Sequence, residues 1–113
     1  MEVLIKRQGR IIGRVRVYLV RSIIGKFFGL MFSKRKNLLF VFNKESIVGI
    51  HNFFVFYTIK LVFLSNKKEV VDVKVLKPFR TYTPRKKARF IIELSTPESI
   101  KLNIKEGDVI VWE

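Results

Sequence analysis

Hydrophobic and polar residues alternate along much of the chain, which is the pattern of half-buried β-strands. The segments 14–19, 71–75 and 88–94 each alternate with a period of two residues. The first of them follows a short apolar strand at 3–5 and a turn at 8–10, whose glycine tolerates a positive φ. The pattern therefore predicts an N-terminal hairpin, with the two valines and the leucine of 14–19 on one face and the arginines on the other.

Two segments are apolar on both faces, and each is predicted to be covered from both sides. The first, Leu38–Phe42, is followed by a predicted turn over 43–46. The second, 47–64, is predicted to form two consecutive buried strands. Its length approaches that of a membrane span, but His51 and Asn52 would lie inside the bilayer at a considerable energetic cost.

Two short helices are expected between the strands. The first spans 22–29, where Ser22 caps its start and Gly29 ends it. The second begins at Thr96-Pro97-Glu98 and ends near Asn103. Its threonine is a capping residue, its proline fits the first helical position, and its acid lies at the positive end of the helix dipole.

Turns are predicted at 65–68 and 105–108, a long polar loop at 78–87, and a last strand at 109–112. Seven to nine strands result, without the strand–helix–strand order of a parallel α/β sheet. The chain is therefore predicted to be mainly β, with one domain over residues 1–113. The expected architecture is an antiparallel β sandwich or jelly-roll-like barrel with two short helices.

Charge sets this sequence apart from an ordinary small domain. The chain has 23 Lys and Arg residues and 9 Asp and Glu residues, which gives a formal net charge of +14. Such a surface attracts polyanions, namely RNA, DNA or an anionic membrane. Adaptation to heat would explain the absence of cysteine and the single glutamine, Gln8, but it usually enriches glutamate alongside lysine. Thermophily thus leaves the excess of positive charge unexplained.

The order of several short motifs resembles the uncharacterised conserved family known as domain of unknown function 192, in particular its archaeal branch. The resemblance spans roughly 15–111 and implies a jelly-roll-like β sandwich without implying an activity. The family usually has Asp where Lys60 stands and Gly where Pro97 stands, so a cation-binding role for that acid is not implied here. The matching motifs are Gly29-Leu30-Met31, Leu39–Phe42, Ile50–Phe54, Ile59–Leu64, Val70-Val71, Leu76–Arg80, Tyr82, Pro84, Ala88, Ile92–Leu94 and Ile104–Asp108.

Residues with catalytic or metal-binding chemistry are few and scattered. The absence of cysteine excludes disulfides and thiolate metal sites, and the one histidine, His51, has no nearby acid with which to form a zinc site. Among the acids, Glu93 is the best candidate because it lies on a strand between apolar neighbours, where pairing with Arg89 or with a neighbouring strand is expected. We therefore predict no catalytic, cofactor-binding or metal-binding residues, and name only His51 and Glu93 as candidate cleft residues.

Basic residues cluster in two loops and are the remaining signal of function. Arginine and lysine there would contact phosphates, and Phe79 or Tyr82 would stack on a base. The alternative is that these charge runs are solvated loops that aid solubility. The candidate contact residues are Arg80, Tyr82, Arg85, Lys86, Lys87 and Arg89 around the second loop, and Lys34, Arg35 and Lys36 in the first.

Four hypotheses on function remain open, and the first is preferred. The chain is a non-catalytic β-sandwich module that binds a ligand or a protein in a cleft, by analogy with its fold. Alternatively, it binds RNA or DNA without sequence preference, acts as a small enzyme on an anionic substrate with His51, Glu93 or Arg80 in the site, or associates with a membrane. No signal peptide is predicted, so the expected location is the cytoplasm. The oligomeric state is left open.

Overall fold

The computed structural model describes residues 1–20, 36–51 and 57–112. The regular structure of these residues is dominated by ten β-strands, and one short helix follows the ninth. The strands are β1 Glu2–Arg7, β2 Arg10–Arg16, β3 Tyr18–Val20, β4 Leu38–Ser46, β5 Ile50–His51, β6 Ile59–Leu64, β7 Val70–Leu76, β8 Thr81–Tyr82, β9 Ala88–Leu94 and β10 Val109–Val111, and the helix is α1 Pro97–Ile100.

The strands form two main sheets and one additional pair. Sheet 1 has the order β10-β1-β2, sheet 2 the order β3-β4-β9-β6-β7, and β5 pairs with β8. The mainly β, sandwich-like fold expected from the sequence is confirmed, although the two main sheets do not close into a barrel in the described residues. The expectation of a purely antiparallel sheet is wrong in one place, because β3 pairs with β4 in parallel.

A first core lies between sheet 1 and sheet 2. Val3 and Ile5 of β1 and Val15 of β2 pack with Val62 of β6 and Ile92 of β9. The predicted hairpin is confirmed, since β1 and β2 pair in antiparallel across a turn in which Gln8 and Gly9 both have positive φ. The hairpin alternation therefore buries its valines in the first core and leaves its arginines outside.

A second core covers the opposite face of sheet 2. Phe40, Leu61, Phe63 and Ile91 pack there, and Ile50 of β5 lies over them. Sheet 2 is thus sandwiched between two apolar layers, which explains why β6 is buried at every position. The prediction of strands covered on both sides is confirmed for β6 and for the first half of β4.

In its described residues, the segment 47–64 contains two strands, as predicted, but they do not pair with each other. β5 pairs with β8, whereas β6 lies between β7 and β9. In the described ranges, no helix has the length and apolar character that crossing a membrane requires.

Three expectations need correction. The predicted turn at 43–46 is wrong, because β4 continues to Ser46 and pairs again with Ala88 after a shift in register. Leu19 is 42% exposed rather than buried beside the valines, because the chain leaves sheet 1 after Arg16 and joins the edge of sheet 2 as β3. The polar loop 78–87 is not wholly irregular, since it contains β8.

The two predicted helices have different outcomes. The helix at 22–29 lies outside the described residues. The second helix begins as predicted, with Thr96 as the cap and Pro97 in the first turn, but it ends at Ile100 instead of continuing to Asn103. The backbone N–H of Ser99 donates to the Thr96 hydroxyl, which is the expected capping bond.

Candidate functional site

The segment 78–87, which we call the basic loop, has a fixed base. Within it, β8 pairs with β5, so that Tyr82 lies opposite Ile50 and Thr81 opposite His51. The Tyr82 hydroxyl donates a hydrogen bond to the Asp72 carboxylate of β7. The Tyr82 ring also packs on Phe63 of the second core, with 5.8 Å between ring centroids. These contacts hold the loop against the sandwich at its middle.

The Asp72 bond determines the chemistry of Tyr82. Chiefly through this hydrogen bond, and also through burial, the pKa of Tyr82 is raised to about 12. The hydroxyl therefore stays protonated and acts as a donor to Asp72 at physiological pH. Because its ring is half-buried in the second core and its hydroxyl is engaged, we assign Tyr82 to anchoring the loop rather than to stacking on a base.

The rest of the basic loop exposes four cations and one aromatic side chain. Phe79 is 55% exposed and has a φ of 61°, a left-handed conformation that is rare for a bulky residue. Within the part of the chain that the structure describes, the loop cations have no carboxylate within 4.0 Å. These exposed cations are Arg80, Arg85, Lys86 and Lys87. The loop thus presents four positive charges that the fold itself does not neutralise.

Other basic residues predicted as contacts are placed differently. Arg89 donates through Nε to the Phe42 carbonyl and through Nη1 to Asn66 Oδ1 at 3.3 Å, so it links β9 to β4 and to the turn after β6. Lys36 Nζ lies 5.2 Å from the centroid of the Tyr18 ring. Lys34 and Arg35 lie outside the described residues.

The hairpin arginines form a separate basic surface. Arg14 and Arg16 alternate with the buried Val15, so they lie on the outer face of sheet 1. The basic loop instead flanks β8, which lies beyond the other face of sheet 2. The two basic surfaces therefore do not merge into one stripe.

Glu93 lies in the second core rather than in an open cleft. It stands in β9 between Leu38 of β4 and Leu61 of β6, and it is 2% exposed. Its Oε2 atom has no hydrogen-bond partner in the described ranges. Burial raises the pKa of Glu93 to about 8, so the carboxyl is protonated at neutral pH.

The expected pairing of Glu93 with Arg89 is wrong, because Arg89 donates to the Phe42 carbonyl and to Asn66 Oδ1 instead. Among the described residues, Glu93 has no ion-pair partner on a neighbouring strand either, and its Oε2 atom accepts no hydrogen bond.

The candidate cleft residues are only partly brought together. β5 places the His51 backbone beside Thr81, and therefore near Arg80, whereas the His51 side chain lies outside the described part. Arg80 is exposed while Glu93 is buried. In the described residues no three His, Asp or Glu side chains are grouped so that they could hold a metal ion.

Two polar contacts, each with one buried side chain, were not anticipated from the sequence. Lys60 is 9% exposed, and its Nζ donates to the carbonyls of Leu102 at 2.5 Å and Ile100 at 3.4 Å. Arg7 forms a bidentate pair with Asp108 at 2.8 and 2.9 Å. Both contacts fix the segment that follows α1. Asp108 also accepts the Lys105 N–H, which confirms its predicted role in a turn.

We expect Tyr82→Phe to loosen the basic loop without unfolding the domain. The substitution removes the bond to Asp72, which is worth about 1 kcal/mol, and keeps the ring on Phe63. Amide hydrogen exchange over 80–83 should accelerate, and the melting temperature should fall by a few degrees. Tyr18→Phe is the matched control, because Tyr18 is 54% exposed and lies outside this contact. Equal exchange rates in the two variants would contradict the anchoring role.

Comparison with known proteins gives a consistent family and fold. A family model described as "Uncharacterized ACR" (DUF192) matches residues 3–112. The UPF0127 protein PH1112 of Pyrococcus horikoshii is 42% identical over 105 residues, which cover 88% of each chain. The UPF0127 protein PF1050 of Pyrococcus furiosus is 37% identical over 102 residues, again 88% of each. The archaeal relatives and the family both agree with the resemblance found in the sequence.

Two solved structures share the fold at 17% identity. A putative transcription regulator from Sinorhizobium meliloti superposes with a TM-score of 0.85 over 97% of this chain and 91% of that one. A protein of unknown function from Novosphingobium aromaticivorans gives a TM-score of 0.79 over 98% and 84%. At this identity the likeness concerns the fold alone, and the extent of the family match decides the classification. The chain belongs to the uncharacterised DUF192 family and is similar along most of its length to the UPF0127 proteins of Pyrococcus.

Proposed function

We propose that this chain is a non-catalytic β-sandwich module that binds RNA or DNA without sequence preference, through the basic loop. The observation on which the proposal depends is that one loop exposes four cations and Phe79, and that none of the four cations has a carboxylate within 4.0 Å in the described residues. Phosphates of the nucleic acid supply the missing negative charge, and the Phe79 ring offers a surface on which a base stacks.

The small number of ion pairs separates this proposal from simple adaptation to heat. In the described ranges, only Arg7 and Arg14 lie within 4.0 Å of a carboxylate, and the Arg14 contact is a long one of 3.8 Å. A surface adapted to heat would join its cations to acids in networks. Here the positive charge is left available for an external polyanion, whose binding releases condensed counterions.

The anchored base of the loop supports binding by a surface that is already ordered. Tyr82 is held by Asp72 and Phe63, and the neighbouring Pro84 is buried. Cations on an ordered loop lose less side-chain and backbone freedom on binding than cations on a disordered tail. The same proposal treats residues 1–113 as one binding domain and places it in the cytoplasm, where RNA and DNA are available.

The test is binding of a labelled 20-nucleotide RNA and the matching single-stranded DNA, followed by fluorescence anisotropy at low salt. Replacing the four loop cations with glutamine should weaken binding by about tenfold or more for both nucleic acids. The control variant replaces four exposed lysines elsewhere, Lys44, Lys67, Lys101 and Lys105, and loses the same charge. Equal loss of affinity in the two variants would mean that the loop is not the site.

A third variant tests the role of the aromatic side chain. Phe79→Leu keeps an apolar residue and every charge, but it removes the ring on which a base stacks. We expect a five- to tenfold loss of affinity, in keeping with about 1–3 kcal/mol for a stacked base. Unchanged affinity would remove Phe79 from the proposed interface, and absence of binding by the unmodified protein at low salt would end the proposal.

A further inference from the structure

One strand edge of sheet 1 has main-chain groups without partners among the described residues. Among the described strands, in the sheet order β10-β1-β2, β2 has a neighbour on one side only. Met1 and Val17 exchange both of their backbone hydrogen bonds, at 3.0 and 2.8 Å. Along an antiparallel ladder, residue pairs that exchange backbone hydrogen bonds alternate with pairs that do not. Val15 therefore bonds to β1, just as Val17 bonds to Met1. The backbone N–H and C=O groups of Arg14 and Arg16 instead point away from β1.

A groove runs along this edge. Its cavity, of about 220 Å³, lies between the 14–16 segment of β2 and the residues Asn37, Thr96, Glu98, Ser99 and Leu102. At one end the groove is limited by Leu102, because the Leu102 Cδ2 atom would lie only 3.2 Å from a Cβ atom added to Gly13. At the other end, Tyr18 N–H bonds to the Asn37 carbonyl. Between these limits the edge is open for about three residues.

We propose that this edge of β2 accepts an extended acidic peptide segment of a partner protein as an added strand. An extended peptide is the ligand that matches a row of unpaired backbone donors and acceptors. Charge then selects its side chains. Arg14 and Arg16 flank the edge on the outer face, and in the described ranges the only acid that approaches them across the sheet is Glu2, at 3.8 Å from Arg14.

The geometry also specifies the pattern of the peptide. Residues paired with Arg14 and Arg16 have their side chains on the outer face, beside the two guanidinium groups, and should be acidic. The residue between them faces the inner wall of the groove, where Glu98 repels an acid and Leu102 favours an apolar side chain. The segment therefore alternates acidic, neutral and acidic residues.

A second copy of this chain is a poorer occupant of the same edge. Pairing two β2 edges would bring Arg14 and Arg16 of both copies together without added acids, and like charges directly opposite each other destabilise a sheet. Arginine on an edge strand is a common protection against such self-pairing. Nucleic acid is also a poorer occupant, because it has no alternating backbone N–H and C=O row to complete the ladder.

The experiment uses the full chain and a synthetic peptide, acetyl-Thr-Val-Glu-Val-Glu-Val-Thr-amide, followed by NMR hydrogen exchange. We expect the amides of Arg14 and Arg16 to gain at least tenfold protection on binding, while those of Gly13 and Val15, already bonded to β1, change little. A peptide with lysine in place of glutamate is the matched control and should not bind. Protection spread evenly over 13–16, or binding of both peptides alike, would overturn the proposal.

Arg16→Pro tests the backbone contact separately from the charge. Proline removes an N–H that points away from β1, a position where an edge strand tolerates it. We expect the peptide affinity to fall tenfold or more, and further than in Arg16→Gln, which keeps the N–H. If Arg16→Pro does not fold, the hydrogen-exchange pattern of the unmodified protein with the peptide still tests the proposal. Concentration-dependent dimers in sedimentation, with the same amides protected in the absence of peptide, would show that a second copy occupies the edge and would overturn the proposal.

Discussion

The free energy of unfolding is expected to decrease as the pH rises from about 4.5 to about 8, because of Glu93. Burial raises its pKa to about 8 in the folded protein, whereas the unfolded value stays near 4.5. Between these values the folded state holds a proton that the unfolded state has lost. The contribution of Glu93 to stability is therefore complete below pH 4.5 and is lost as the pH rises through 8, with a slope of up to about 1.4 kcal/mol per pH unit.

Glu93→Gln isolates this effect from the other titrating groups. Glutamine keeps the size of the side chain but does not ionise, so the variant should lack the Glu93 slope and should be the more stable protein at pH 8. Urea unfolding at pH 5, 6, 7 and 8 measures both proteins. Parallel curves for the two proteins would show that Glu93 is not a buried neutral acid, and the account of the second core would have to change.

Lys60→Asp is expected to destabilise the fold by about 3–5 kcal/mol, the usual cost of an uncompensated buried charge. The Lys60 ammonium donates to the carbonyl of Ile100, the last residue of α1, and to that of Leu102 just after it, in a site where Lys60 is 9% exposed. The carboxylate of an aspartate there would face the two carbonyl oxygens, which are also hydrogen-bond acceptors. Burial lowers the pKa of Lys60, but the two carbonyls still favour its charged form.

This substitution tests the contact between β6 and α1, because Pro97 begins the helix whose last carbonyl, that of Ile100, accepts a hydrogen bond from Lys60. Lys60→Met is the control, since it keeps the packing and loses only the two hydrogen bonds, at about 1–2 kcal/mol. Chemical unfolding at pH 7 measures all three proteins. Equal stability of the aspartate and lysine proteins would contradict the described role of Lys60.

The strands were predictable wherever burial alone determines the pattern. Alternation found the hairpin, and continuous apolar character found β6, because each residue type follows from which faces of a strand are covered. The extension of β4 through 43–46 was missed, because Asn43, Lys44 and Glu45 are typical turn residues and the strand is held by pairing with β9. The move of β3 to sheet 2 was missed for a similar reason, since each β3 residue pairs with the β4 residue twenty positions later.

The candidate site was predictable in part. The four basic residues in 80–87 are visible in the sequence, and the structure leaves all four exposed. That Tyr82 is bound by Asp72 and Arg89 by Phe42 is not visible, because each contact joins different strands. The backbone N–H and C=O groups of Arg14 and Arg16 point outwards because these residues belong to the pairs of β1 and β2 that exchange no hydrogen bonds. The pattern of side chains does not determine which pairs those are.

The most direct measurement of the central claim is the dependence of RNA affinity on salt. If the four cations of the basic loop contact phosphates, the slope of log affinity against log salt should become shallower by about 2–3 when they are replaced with glutamine, given a slope of about 0.7 per contact on a single strand. The variant at Lys44, Lys67, Lys101 and Lys105 should keep nearly the original slope. Equal slopes for the two variants would contradict the claim that the basic loop is the nucleic-acid interface.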